Sequence, residues 1–128
     1  LSLNRAMDVS FLALLVIKHG VADLWLQAFH TNSQKIKWTK GHRHYAEHAG
    51  LTLLIAIYFL PLQYAVLACL LDYVCHWHID WGKHHLLKRS GWTFASAPKL
   101  FFFVQSVDQI LHYITYYVIV IAPYQFFF

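Results

Sequence analysis

Four long apolar stretches, separated by short polar segments, are the feature that most restricts how this chain folds. They cover residues 9–29, 44–60, 64–81 and 100–122, and each is close to the ~20 residues that a helix needs to cross a bilayer. A small soluble domain needs a polar surface because it buries little of its area, yet only 12% of this chain is charged and 59% is hydrophobic. We therefore predict an all-α fold, a single transmembrane four-helix bundle with short loops, over residues 1–128.

The basic residues predict how this bundle is oriented. Lysine and arginine cluster in two connections, residues 30–43 and 82–99, whereas the turn at residues 61–63 has no charge. Because cytoplasmic loops carry an excess of these residues, both connections are expected in the cytoplasm and both termini on the outer side. The net charge of +4 is compatible with nucleic-acid binding. Nucleic-acid-binding domains, however, gather their basic residues in a patch on a polar surface, so we expect the bilayer and no nucleic acid as the partner.

Acidic residues occur where a membrane helix usually lacks them. Four of the five aspartates in the chain lie within the predicted spans: Asp23, Asp72, Asp80 and Asp108. Each costs about 2.5–3.5 kcal/mol on insertion near the centre of a membrane helix. Such residues are expected to have partners and a function.

Each predicted span carries a pair of potential metal ligands four residues apart. The pairs are His19 and Asp23, His44 and His48, His76 and Asp80, and Asp108 and His112. On a helix this spacing places both side chains on one face, as in zinc sites that use two histidines one turn apart. Antiparallel helices bring the four pairs to a similar depth in the cytoplasmic half. We therefore predict that these eight residues converge on one site.

Five imidazoles and three carboxylates are enough for one or two metal ions, because a tetrahedral zinc takes about four ligands. Mixed nitrogen and oxygen ligands suit zinc, manganese or iron, and zinc is our first choice. Groups that hydrogen-bond the ligands orient them, and we assign this role to Gln27, Asp72 and Gln109. A proton or ion relay and a structural ion-pair network are the alternatives to a metal. The other histidines are expected in loops or off the shared faces: His30, His42, His78, His84 and His85.

The order of these residues resembles a family of small bacterial and phage membrane proteins catalogued as domain of unknown function 3307. The family pattern is H-x3-D-x3-Q, a lysine in the first loop, H-x3-H, H-x3-D-x2-K and D-Q-x2-H. The matching residues are His19, Asp23 and Gln27; Lys35 or Lys37; His44 and His48; His76, Asp80 and Lys83; and Asp108, Gln109 and His112. The resemblance covers nearly the whole chain, which departs from it in a longer, more basic third loop and an aromatic C-terminus. It implies a bacterial inner-membrane protein with this topology and site, but no particular reaction.

Our first functional hypothesis is a metal-dependent hydrolase of a lipid or lipid-linked phosphoester at the cytoplasmic face, by analogy with membrane-bound metal-dependent hydrolases. A bound metal activates water and polarises the scissile bond. Asp23 and Asp108 are candidates for the general base, and Lys83 is a candidate for binding the phosphate.

Three alternatives stay open at the level of the sequence. A non-haem diiron oxidase is suggested by the His44-x3-His48 motif. A non-enzymatic ion or proton carrier, or an assembly subunit with a structural metal, would act in an oligomer or a larger membrane assembly. A haem bundle would need two facing histidines and leaves the carboxylates unexplained.

Overall fold

The computed structural model describes residues 3–25 and 42–126 of the chain. These residues form the α-helices α1 (Leu3–Gly20), α2 (His42–Phe59), α3 (Leu62–Ser90) and α4 (Pro98–Phe126), and a π-helical turn, Val21–Trp25, continues α1. Within these two ranges there is no β-strand, so the prediction of an all-α fold with four helices is confirmed. Gln27 and the lysines of the predicted first loop lie outside the described residues.

Helix α3 is longer than the sequence analysis predicted. It continues to Ser90, so that Lys83 and the neighbouring histidines belong to a helix and the prediction of a loop from residue 82 is wrong. The loop was predicted to start at Gly82, but a single glycine lowers the stability of a helix by only about 1 kcal/mol. The helix ends at Gly91, which has φ 74° and donates its N–H to the carbonyl of Leu87 at 3.0 Å. Glycine adopts this left-handed conformation without a steric penalty.

The other helix boundaries follow from proline chemistry. Pro61 has no N–H and cannot continue α2; its carbonyl instead accepts the N–H groups of Tyr64 and Ala65, both at 3.0 Å, at the start of α3. The turn between α2 and α3 is therefore shorter than predicted. Helix α4 begins at Pro98, a position where the missing N–H has no cost because the first turn of a helix leaves it unpaired.

The interior of the bundle is divided along its length. The half near the α2–α3 turn contains the apolar core, formed by Phe11, Leu15, Ala56, Leu60, Ala65, Ala68, Tyr116, Ile119 and Val120. Three alanines in this set belong to α2 and α3 and let these helices pack closely. The opposite half buries His, Asp and Lys side chains from every helix. The apolar half thus packs the helices against one another, and the polar half contains the candidate site.

The exterior of the bundle is rich in large apolar side chains. Leu54, Tyr58 and Phe103 are 65%, 84% and 65% exposed, and similar residues occur on all four helices. In the described part of the chain, the polar half of the interior thus lies beneath a surface rich in apolar side chains, which is unusual because buried ionisable residues are rare. In residues 3–25 and 42–126, none of the helices combines the length and the hydropathy required to cross a membrane. The four helices are confirmed, whereas their prediction as membrane spans is not.

Candidate metal centre

Five buried histidines meet in the polar half of the bundle, and all five present the same ring nitrogen to it. They are His19, His44, His48, His76 and His112. The Nε2 atom of each lies within 3.2 Å of an oxygen of Asp23 or Asp80. The structure therefore brings these side chains of all four helices together, and their role as metal ligands stays a prediction.

One set of side chains, which we call the first ligand group, consists of Asp23, His44, His48 and His76. Asp23 Oδ1 lies 2.8 Å from the Nε2 atom of His48, 3.2 Å from that of His44 and 4.0 Å from that of His76. The Nε2 atoms of His44 and His76 are 3.2 Å apart. With zinc–nitrogen bonds of 2.0–2.1 Å, ligand atoms of a tetrahedral zinc lie about 3.3 Å from one another. The spacing of the first ligand group fits one such ion.

The second ligand group consists of Asp80, Asp108 and His112. The Nε2 atom of His112 is 3.2 Å from Asp80 Oδ1 and 3.5 Å from Asp108 Oδ1. Asp108 Oδ1 is buried and has no hydrogen-bond partner among the described residues, which is an environment that a cation satisfies. Three protein ligands are the usual complement of a catalytic zinc, which keeps a fourth position for water or substrate.

Asp80 and His76 connect the two ligand groups. The second carboxylate oxygen of Asp80 lies 3.2 Å from His76 Nε2 and 3.6 Å from His44 Nε2, while its first oxygen contacts His112. His76 also belongs to a further triad of potential ligand atoms with His19 and His112. Asp80 could therefore offer one oxygen to an ion in each group.

The local helix geometry explains how the pairs reach the site. On α3, Asp72, His76 and Asp80 occupy successive turns of one buried face, as their spacing predicts. Asp23 instead belongs to the π-helical turn, and its Oδ2 still lies 3.0 Å from His19 Nε2. Turns of this kind are frequent at functional sites, but nothing in the sequence indicates one here.

The outer nitrogens of two histidines have partners that hold the rings. The hydroxyl of Tyr116 lies 2.7 Å from His19 Nδ1, and Lys18 Nζ lies 3.2 Å from His48 Nδ1. Gln109 Oε1 lies 3.1 Å from the inner nitrogen of His19, Nε2, and the Gln109 amide donates a hydrogen bond to Asp108 at 3.2 Å. Sequence reasoning missed Tyr116, for which the sequence has no signal.

Lys18 and Asp72 form a buried ion pair behind the first ligand group. Lys18 Nζ lies 2.8 Å from Asp72 Oδ2, with side-chain exposures of 4% and 1%. Thr52 also donates a hydrogen bond to this carboxylate, and Lys18 donates one to the carbonyl of His48. Asp72 therefore supports His48 only through Lys18, not by direct contact with a ligand ring as predicted. Lys18 itself was missed, although a lysine within an apolar stretch is a signal in its own right.

Lys83 approaches the second ligand group from the outer side. Its Nζ is 3.3 Å from Asp108 Oδ2 and 3.4 Å from the Gln105 side-chain oxygen. The expected loop position of Lys83 is wrong because α3 continues to Ser90. Asp80, one turn earlier on the same helix, is only 2% exposed.

The formal charges of the described site leave room for a divalent cation. Four carboxylates are present, and two of them, on Asp72 and Asp108, are paired with Lys18 and Lys83. The other two, on Asp23 and Asp80, lie against the imidazoles of all five buried histidines. Buried carboxylates require compensation, which a bound cation or a protonated histidine would supply.

The remaining histidines lie outside the site. His42, His78, His84 and His85 are on helices α2 and α3 rather than in loops; His42 contacts the hydroxyl of Tyr73, and His78 contacts the carbonyl of Val74. His30 lies outside the described residues. None of the four on the helices belongs to a potential ligand group in the part of the chain that the structure describes.

No protein-family model, curated protein or solved structure is significantly similar to this chain. The resemblance to domain of unknown function 3307 therefore stays a prediction.

Proposed function

We propose that this chain is a metal-dependent hydrolase of phosphoesters that holds one or two divalent ions between its four helices. The observation that carries the proposal is the convergence of five histidine Nε2 atoms on the carboxylates of Asp23, Asp80 and Asp108. Zinc is the first candidate, with manganese and iron as alternatives, because the donors are nitrogen and oxygen.

The two ligand groups suggest different tasks. The first, with four ligand side chains, suits an ion that is fully held by the protein, whereas the second, with three, suits an ion that keeps a position for water. A divalent ion in the second group supplies Lewis-acid chemistry and an activated water. Asp108 is either the third ligand of this ion or the general base, and Lys83 provides a positive charge 3.3 Å from its carboxylate. Asp23 is the alternative base, although its contacts with three histidines favour a ligand role.

A bilayer remains the proposed environment of the bundle, with lipid or lipid-linked phosphoesters as substrates. The support is the set of large apolar side chains exposed on all four helices. The ionisable residues on the inner faces of the helices lower their mean hydropathy. In a bilayer, these inner faces would not contact lipid. The basic end of α3, with Lys88 and Arg89, would face the cytoplasm. Flotation of the expressed protein with membranes after carbonate washing tests this placement, and quantitative release by carbonate would contradict it.

Elemental analysis of the purified full chain is the first test of the site. We expect one or two equivalents of zinc, manganese or iron in the wild type and a large loss in His76→Gln, because His76 is shared between ligand sets. His85→Gln is the matched control, since His85 is an exposed residue of the same helix and stacks on Trp81. Equal metal content in both variants would contradict the proposal.

Turnover is the second test and needs a phosphoester panel with and without the metal. Asp108→Asn should abolish turnover while the fold and the metal of the first ligand group persist. If the metal-loaded wild type is inactive across lipid and soluble phosphoesters, the hydrolase assignment fails.

A structural metal is the second candidate function, and the four-residue first ligand group is the observation that favours it. In that case the metal-loaded wild type would show no turnover, and Asp108→Asn would change only metal content and stability. Iron as the only bound metal would instead favour the oxidase hypothesis.

A further inference from the structure

A cleft of about 380 Å³ lies between α3 and α4, next to the second ligand group. Its walls are mostly apolar and include Ile79, Leu86, Val104 and Leu111, while Lys83 and Asp108 provide charged groups at its wall. The size is within the range of pockets that hold small ligands, ~300–1,000 Å³. The cleft therefore combines mostly apolar walls with a Lys83–Asp108 ion pair about midway along them.

Gly82 keeps this cleft open. It lies inside α3 and lines the cleft, and a Cβ atom added there would meet no other atom within 4 Å. Packing against a neighbouring helix therefore does not require glycine at this position. A larger side chain at residue 82 would instead enter the cleft.

Lys83 is the cation of an ion pair with Asp108 in the cleft wall, and this pair connects the cleft to the second ligand group. Its ammonium group lies 3.3 Å from a carboxylate oxygen of Asp108, and the other oxygen of Asp108 faces His112 in the second ligand group. An anion bound at Lys83 therefore lies beside the proposed ions. The apolar walls favour an alkyl chain attached to that anion, since a free inorganic anion gains nothing from them.

We infer that the cleft binds an amphiphile with a single alkyl chain and a phosphate head, the chain along the apolar walls and the phosphate at Lys83. The inference rests on the proposed function for the identity of the anion, and it adds the class of substrate and the route between α3 and α4 by which it enters.

Titration calorimetry with octyl phosphate, below its micelle concentration and with the full chain in maltoside detergent, tests this inference. Chelator-treated and metal-loaded protein are both used, so that binding is measured independently of turnover. We expect octyl phosphate to bind at least ~10-fold more tightly than inorganic phosphate or the uncharged octyl glucoside. Comparable binding of either reference compound would overturn the inference.

Variants then locate the binding. Gly82→Phe should abolish octyl phosphate binding, whereas Gly50→Phe is the matched control, because Gly50 is an exposed helical glycine of α2 that also has open space around its Cβ position. Lys83→Met should weaken binding roughly 10- to 100-fold through the loss of a charged hydrogen bond, and Lys83→Arg should restore most of it. If Gly82→Phe fails to fold, Leu111→Trp narrows the opposite wall.

The outcomes separate this inference from the proposed hydrolase. If the Gly82→Phe and Leu111→Trp variants both bind octyl phosphate as tightly as the wild type, the binding site is not this cleft. This conclusion holds even if the protein hydrolyses a soluble phosphoester. Specific binding that is lost in these variants would support the cleft, even if no phosphoester is turned over.

Discussion

Replacing Lys18 with methionine tests whether the polar half of the bundle depends on its buried ion pair. The substitution keeps the length of the side chain but leaves the Asp72 carboxylate, which is 1% exposed, without its cation at 2.8 Å. Breaking a buried pair in this way costs about 3–5 kcal/mol. For a chain of this size, that loss lowers the unfolding midpoint by roughly 10–20 °C.

The assay is thermal unfolding of chelator-treated protein in detergent, so that bound metal does not mask the effect. Lys88→Met is the matched control, because Lys88 is exposed near the end of α3 and surface changes usually stay within about 0.5 kcal/mol. Adding Asp72→Asn to Lys18→Met removes the unpaired charge and should recover most of the loss, which gives a coupling energy of at least ~2 kcal/mol. The reasoning is refuted if Lys18→Met is no more destabilising than Lys88→Met.

Four further results are expected. Asp80→Asn should lower the metal content more than Asp108→Asn, because Asp80 contacts histidines of both ligand groups; elemental analysis decides, and the opposite order would argue against a bridge. Chelation should reversibly lower the free energy of unfolding by about 2.7 kcal/mol for an ion present at 100 times its Kd, and the unfolding midpoint should fall with it. An unchanged midpoint would contradict a bound metal. Tyr116→Phe removes the hydroxyl 2.7 Å from His19 Nδ1 and should weaken metal binding by ~10–100-fold in a competition titration. If Tyr116 only packs against its neighbours, the metal affinity should not change. Gly82→Ala should stabilise the fold by roughly 0.5–1 kcal/mol in denaturant titrations, because helical glycine is unfavourable and space is open at its Cβ position.

The sequence predicted those parts of the site that depend on helical periodicity alone. The pairs on α2, α3 and α4 meet because residues four apart share a face, and this needs no knowledge of packing. The end of α3 was wrong by nine residues because the prediction stopped with the apolar stretch, whereas Gly91 ends the helix through its backbone conformation.

Other features depend on tertiary contacts that periodicity does not contain. Tyr116 meets His19 across 97 positions of sequence, and the π-helical turn at Asp23 has no compositional signature. Lys18 was within reach, since its position in an apolar stretch already required a partner. The choice of Asp72 over the other acids follows only from the packing of the whole bundle, which brings Lys18 of α1 to Asp72 of α3.

The buried face of α3 has a consequence for how this chain tolerates insertions and deletions. Ala65, Ala68, Asp72, His76 and Asp80 follow one another at intervals of three or four residues, and an added or lost residue rotates everything beyond it by about 100°. One insertion or deletion between positions 72 and 76 would therefore turn His76 and Asp80 away from the face that carries Asp72. In the segment from residue 91 to residue 97, between α3 and α4, no such register exists, so length variation there leaves the site intact.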